Sequence, residues 1–569
     1  MSLTIPYDRL INCATQEYLE QVDPTSPPPH HEVAAVLIQR TNNEIAAHNA
    51  ETEAKGMYRY RPIKSLTPMQ IAEAIRRIDL PTLSLLSDGT SNDPPRERLP
   101  MIAFNNSGER IGTYSPAEDR VRSLVNEYNH TAKECDVNEV IGYLRRDIKK
   151  VPTLTETRNP DLVPVGNGIY DVRTQKLLPF SSQKIFMTKT PIDYNSGAKS
   201  PTIYNSDGTS WEFDAWLDDL FEGDQQMIEL LWQIMAASLR VYQNFGKAII
   251  FQAETGANGK GTILALIRNL LGGELNTSSL SIAGFNDRFA IEELIYKMAV
   301  LGDENQVGGY IDGSTAFKSY VTHDPIRADI KYKSPVTFRP RGLTIQSFNE
   351  IPKFRDRSDS MFRRLLILPF NKTFSSIERK YIKDDYIHRN EVLEYILKRL
   401  LEMPIFDAFV EPAASKEMLD EAKQLNDPVR SFYEEFYEEF VWDLLPWNFL
   451  YDLYKAWLAY TNPSGSPVGR LPFINQSSAA FGDKRFGPTQ LWKPTGRTAQ
   501  RTKGRITTGE PLALEYHLSS WMGTAGMRGS STRPTVPGKL PVSARGLVRV
   551  APQTTTGTSV QQRGDADGN

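Results

Sequence analysis

The chain has 569 residues, 40% hydrophobic and 24% charged, with a formal net charge of -3. That length predicts three or four domains, and the balance excludes a wholly disordered chain and a globally basic nucleic-acid binder. Two cysteines, Cys13 and Cys135, are too few for a disulfide framework or thiolate zinc site and suit a reducing cytoplasm. Asp8 and Arg9 interrupt any signal-peptide stretch, and no run of about 18 apolar residues predicts a membrane span.

In chain order, the proline-rich stretch ending at His30 and His31 predicts a stiff break with solvated histidines. Apolar spacing predicts a helix over 67–78, a loop over 87–98 and a strand over 100–105. Helices over 115–129 and 138–148 and a hairpin over 165–180 follow. Residues 211–243 read as helical, and 247–252 as a buried strand. Helices and strands alternate to about residue 370, which predicts an α/β sheet with helices on its faces. Residues 387–403 and 412–460 return to helix, where aromatics at 432, 433, 436, 437 and 440 share one face and predict core packing. Residues 495–569 show no sustained apolar period and predict a disordered tail. Their ten lysines and arginines against four acids leave the rest of the chain acidic.

The strongest chemical signal is AIIFQAETGANGKGTILALIRNLL, residues 248–271. A buried strand runs into a small loop, Gly256, Ala257, Asn258 and Gly259, and the loop into an apolar helix. Such a loop turns backbone N–H groups toward phosphate oxygens beside the positive end of the helix. Lys260 would reach the β- and γ-phosphates of ATP, and a hydroxyl just after it would help hold Mg²⁺. The pattern departs from the usual phosphate loop twice. Glu254 stands six before the lysine where glycine is usual, and Gly261 displaces the hydroxyl to Thr262.

Further elements follow in order. YKMAVLGDEN is an apolar strand ending in Asp303 and Glu304, a carboxylate for the Mg²⁺ shell and one to deprotonate attacking water. A third strand ends in Asn349, whose neutral amide can hydrogen-bond a γ-phosphate or water without adding negative charge. Arg363 and Arg364 precede another buried strand, and arginine suits charge spread over three transferring oxygens. Residues 326–341 carry Arg327, Lys331, Lys333, Arg339 and Arg341 against one acid, with Tyr332 between the two lysines. That pattern predicts a basic hairpin gripping phosphates with an aromatic at its tip.

NGKGT, LGDEN, HDPIRADIKYKSPVTFRP, FNEIP and RRLLILPF together resemble the phage and plasmid primase–helicase family of superfamily 3 helicases. The resemblance covers roughly residues 99–460. It implies an AAA+-like P-loop ATPase core, a mixed α/β helicase-associated domain before it and a helical, winged-helix domain after it. Expected domains are a mostly helical region over 1–98, the helicase-associated domain over 99–209, the ATPase over 210–405, the C-terminal domain over 406–494 and the tail over 495–569.

The resemblance assigns Lys260 and Thr262 to the Walker A motif, Asp303 and Glu304 to Walker B, and Asn349 to the sensor. Arg363 or Arg364 becomes the arginine supplied across a subunit interface, and Lys331, Tyr332 and Lys333 contact single-stranded DNA in a central pore. It implies a hexameric homo-oligomer unwinding DNA, usually 3′ to 5′, during replication of a phage, plasmid or integrated element, with ATP and Mg²⁺, in the cytoplasm of a bacterial host. The residues before 99 lack a paired-acid strand motif, so the expectation is a helicase served by a separate primase or initiator. The competing expectation is a DNA-binding initiation or loading factor whose nucleotide loop has weakened at Glu254 and Gly261.

Overall fold

Residues of the first 155 positions close helices and strands around one apolar core. The computed structural model of the protein describes residues 5–23, 26–53, 59–87, 89, 95–147, 149–254, 256–303, 310–311, 315–331, 335–354, 359–374, 379–425, 427–461, 467–482, 491–496, 500–523 and 535–550. The chain divides into two compact units, residues 1–419 and 420–569.

At the start of the first unit, helices Tyr7–Leu19, His30–Glu53 and Pro68–Ala74 pack with Glu118–Tyr128 and Glu134–Arg146. A four-stranded sheet completes the layer, in the order Tyr114–Pro116, Met101–Phe104, Ser84–Ser87, Thr153–Thr155. Val33, Leu37, Ile75, Leu85, Val121 and Val140 are fully buried in one cluster, so the core runs across residue 98. Thr67 and Gln70 form a reciprocal cap at the third helix. Gln70 is itself buried, and its amide donates to Thr15 Oγ1 at 3.2 Å and Thr41 Oγ1 at 2.9 Å, which ties three helices together. His30 corrects the expectation of a solvated linker. It opens the second helix with Nε2 2.9 Å from Asp79 Oδ1 and Nδ1 2.7 Å from Glu127 Oε2.

The expected hairpin is a three-stranded antiparallel meander, Leu162–Val165, Gly168–Asp171 and Lys176–Leu178. Helices Phe213–Leu220 and Gln225–Leu239 follow, the second capped by the Asp224 carboxylate on the N–H groups of Gln226 and Met227. They lead into a five-stranded sheet of β1 (Ala248–Gln252), β2 (Thr277–Ser278), β3 (Ala299–Gly302), β4 (Leu343–Phe348) and β5 (Leu365–Pro369). All neighbours are parallel, in the order β2-β3-β4-β1-β5. Every residue of β1, β3, β4 and β5 is buried, as a parallel sheet covered on both faces requires. Helices Gln225–Leu239, Lys260–Leu271 and Asn390–Glu402 share its core cluster. This is the mixed α/β parallel sheet expected.

The second unit holds helices Pro428–Phe436, Trp447–Thr461 and Arg470–Gly482 and an antiparallel sheet ordered Leu444–Pro446, Gly546–Arg549, Trp492–Pro494. Phe432, Tyr433, Phe436 and Phe440 are buried in its core, as their spacing predicts. The expected disordered tail is corrected over its described residues. Gly546–Arg549 is the central strand, and Ile506, Leu512, Ala513 and Leu547 lie in the same core as Trp442 and Trp492. Those apolar residues come from turns and short segments, so they leave no period in the sequence. Residues 551–569 lie outside the described residues. No helix among the described residues is long and apolar enough to cross a membrane.

Glu510, from the same segment, is buried and accepts the N–H groups of Val441 at 3.0 Å and Trp442 at 3.1 Å. Burial pushes its carboxyl from 4.5 up to about 7. A raised folded-state value gives stability that is complete below about pH 4.5 and is lost as pH rises through 7. Glu510→Gln should therefore abolish a fall in denaturation midpoint across that window. Parallel pH profiles for wild type and variant would contradict this.

Candidate functional site

Parallel register brings the expected motifs to one edge of the sheet. Gln252 at the end of β1 lies opposite Phe348 at the end of β4, so the loop after β1 and Asn349 start at the same level. Gly302 at the end of β3 lies opposite Gln346, which brings Asp303 to that edge beside β4. Open parallel sheets bind ligands outside these carboxyl ends.

The loop turns by backbone geometry. Ala257 has φ 53° and Gly259 φ 85°, both left-handed. At Gly259 a Cβ would also sit 2.8 Å from Leu220 Cδ1, so glycine is required twice over. Gly256, Ala257 and Glu254 are exposed, and Asn258 is buried with its amide oxygen 3.3 Å from Lys260 N. Glu254 thus stands in solvent at the mouth of the loop. Gly259 caps helix Lys260–Leu271 without a side-chain cap, which leaves the first-turn N–H groups and the positive helix end facing the loop.

Lys260 is the first residue of that helix and only 5% exposed. Its ammonium donates to Phe348 O and Asn349 Oδ1, both at 2.9 Å, and to Ala253 O at 3.3 Å. All three acceptors are neutral. Burial lowers the ammonium's pKa and the charge of Asp303 opposes that shift. A desolvated cation at an uncapped helix N-terminus is a site for a multiply charged anion. Thr262 is half-buried on the helix's first turn and Asp303 is exposed beside the lysine, an alcohol and a carboxylate of the type that hold Mg²⁺. The described residues contain no cluster of three or more His, Cys, Asp or Glu residues placed to hold a metal ion. Glu304 lies outside the described residues.

Sequence reading missed Lys383. It belongs to the short helix Lys380–Asp384, which packs on the loop's helix, and a methyl built on Gly261 would lie 3.8 Å from its Nζ. It is exposed and makes no ion pair among the described residues. A second ammonium at the same helix end raises the positive potential there further. No motif marks it, because it lies more than a hundred residues beyond the loop in an ordinary amphipathic segment.

Arg363 and Arg364 are at the other edge. They precede β5, whose first residue Leu365 pairs with the first residue of β1, Ala248. Five residues of strand separate them from the loop's end, about 16 Å. Arg364 is half-buried and donates to Ser360 O and, at 2.7 Å, to Ser360 Oγ. Arg363 is exposed with no such tie. Neither meets Lys260 within one chain.

The expected hairpin is present, Ile326–Ala328 pairing Val336–Phe338. Lys331 is exposed near its turn, and Tyr332 and Lys333 lie outside the described residues. Arg341 corrects the reading of the whole stretch as a DNA surface. It is buried, paired with Glu156, 2.9 Å from Tyr242 Oη and over the rings of Tyr242 and Tyr296. It therefore anchors the hairpin's root in the interior. Gly342 beside it has φ 78°, and a Cβ there would overlap Met298 O, so the chain must pass here without a side chain.

Three family profiles match the chain in order. "D5 N terminal like" matches residues 39–222, DUF5906, a family of unknown function, matches 251–364, and "Poxvirus D5 protein-like" matches 424–483. A protein of Acanthamoeba polyphaga mimivirus named "Putative helicase L207/L206" is 25% identical over 226 residues, 38% of this chain and 22% of that protein. These matches support a phage or viral primase–helicase family. The aligned part spans about a fifth of the mimivirus protein's length. Among solved structures, the chain aligns with the NrS-1 C-terminal region at 14% identity, covering 70% of this chain and 83% of that one with a TM-score of 0.41. The A form apo structure of that region aligns at 13% identity over 85% and 100% of the two chains, with a TM-score of 0.44.

Two outcomes test this geometry. Lys383→Ala should weaken pyrophosphate or ATP binding about tenfold at low salt, the size of one charge-assisted contact, read by calorimetry. An unchanged affinity would remove Lys383 from the site. Glu156→Ala leaves Arg341 as an unpaired buried charge and should lower unfolding stability by about 3–5 kcal/mol. A denaturant midpoint equal to wild type would contradict that anchoring role.

Proposed function

We propose that this chain is an ATP-driven DNA helicase of superfamily 3. In this reading the parallel sheet is an AAA+-like P-loop core, the second unit is a winged-helix domain, and copies assemble into a hexameric ring. Its work is the unwinding of duplex DNA during replication of a phage, plasmid or integrated mobile element, with a primase or initiator as a separate partner. The observation that carries the reading is Lys260, a buried ammonium held by neutral oxygens where β1 and β4 end.

ATP would place its β- and γ-phosphates over the first turn of helix Lys260–Leu271. Lys260 would then exchange carbonyl partners for phosphoryl oxygens, which bear the charge it lacks. Thr262 and Asp303 would hold Mg²⁺, which supplies charge neutralisation on the β- and γ-phosphoryl oxygens. Glu304 is the base for the attacking water. Asn349 is freed as Lys260 turns to phosphate, and its amide orients the γ-phosphate or that water. The separation of Arg363 and Arg364 from the loop supports an arginine acting on the nucleotide of a neighbouring copy, and the Ser360 tie on Arg364 supports Arg363 as that residue.

On this reading the hairpin lines the pore. Lys331, Tyr332 and Lys333 grip the single strand by phosphate contact and stacking, without reading sequence. Its root precedes β4, and Asn349 directly follows β4, so one strand joins the DNA contact to the γ-phosphate contact.

Mixing two variants tests whether the loop and the arginine act from different copies. Lys260→Ala and Arg363→Ala proteins should each lose DNA-stimulated hydrolysis, an arginine of this type being worth roughly 10³–10⁵ in rate. Mixed in equal amounts, they should regain a measurable fraction, because some interfaces pair an intact loop with an intact arginine. No recovery would contradict a site shared between copies. Lys331→Ala should lower strand separation about tenfold, and equal unwinding by that variant would remove the hairpin from the motor.

A further inference from the structure

The second unit is electrically polarised. Residues 420–482 contain four lysines and arginines against nine acids, and residues 491–550 contain ten against two. Of those two acids, Glu510 is buried against the backbone of Val441 and Trp442. The basic excess falls in a segment whose composition leaves DNA contact and a merely solubilising tail equally open, and the fold draws part of that segment into a layer of short strands.

Within that layer, Gln500–Arg501 and Ser543–Ala544 form an antiparallel ribbon. Arg501 pairs across from Ser543, and Arg545 lies two residues beyond Ser543, just past the end of that strand. Lys503 opens the turn that follows, while Thr502 between the two cations is fully buried. Arg501, Lys503 and Arg545 are all exposed, and none makes an ion pair among the described residues. Arg549 differs, being paired with Asp443 at 3.1 Å and stacked over Trp492. Three cations spread over the ribbon and its turn can meet several phosphates at once, which one small anion does not offer.

We propose that this ribbon binds the phosphate backbone of duplex DNA. Residues 500–506 and 541–549 contain no aromatic side chain, so the surface has no platform for stacking unpaired bases. It offers cations, a serine hydroxyl and backbone, the groups that position a protein on a duplex without reading sequence. The surface belongs to a different unit from the nucleotide loop. The two assignments therefore fail separately.

The test uses the full chain and a fluorescein-labelled blunt duplex, with anisotropy measured over a series of KCl concentrations. Each phosphate contact contributes about 0.9 to the slope of log K against log salt. Arg501→Ala, Lys503→Ala and Arg545→Ala combined should therefore flatten the slope by about 2–3. Arg501→Lys with Arg545→Lys should keep it. Where the triple variant fails to melt like wild type, Arg501→Gln alone should flatten the slope by about 1. An unchanged slope for a folded variant overturns the proposal. So does a loss confined to a single-stranded oligonucleotide, or tighter binding of polyglutamate than of duplex at equal charge.

Discussion

The arrangement turns on one buried ammonium. Lys260 is removed from water at the junction of β1, β4 and the loop helix, and three uncharged oxygens hold it. Neutral partners satisfy its hydrogen bonds without balancing its charge, and among the described residues Asp303 opposes the effect of burial. A cation in that state gains more from an arriving polyphosphate than a solvated lysine would, because its desolvation has already been met by folding. The same edge adds the positive end of the helix and a second ammonium from Lys383. Loop, helix and short helix each raise the positive potential at one point.

β4 gives that point a mechanical neighbour. Its six residues span about 20 Å, from Arg341 and Gly342 at one end to Asn349 at the other. Arg341 is held by Glu156 and two tyrosine rings, and Gly342 passes against Met298 O where no side chain fits. The hairpin root is thus fixed to the interior while its turn stays exposed at Lys331. A fully buried strand therefore connects Asn349 with the root of the hairpin, and on the proposed reading a change at the γ-phosphate has a stiff element through which to reach it. The arginine pair sits at the opposite end of the same sheet from the loop.

Much of this was legible in the chain. Buried strands show as unbroken apolar runs, and the loop, Asp303, Asn349 and the arginines appear in order because each follows or precedes such a run. What pattern cannot carry is which end of a strand faces the ligand, so proximity of the arginines to Lys260 was not readable, nor was the difference between Arg363 and Arg364. Arg341 reads as one more cation in a basic stretch, since burial by Glu156 depends on residues nearly two hundred positions away. His30 looks like linker because Asp79 and Glu127 are equally remote. The segment after residue 494 was misread for a related reason: Ile506, Leu512 and Leu547 enter the core singly, and only the fold assembles them. Lys383 has no sequence signal at all.

The central claim is that the Lys260 junction binds and cleaves ATP under control of DNA. Steady-state ATP hydrolysis, titrated with single-stranded DNA, tests it most directly for wild type beside Lys260→Ala. The account predicts turnover that rises with DNA in the wild type and is absent from the variant. Hydrolysis that survives the substitution, or DNA binding without hydrolysis by the wild type, would contradict it.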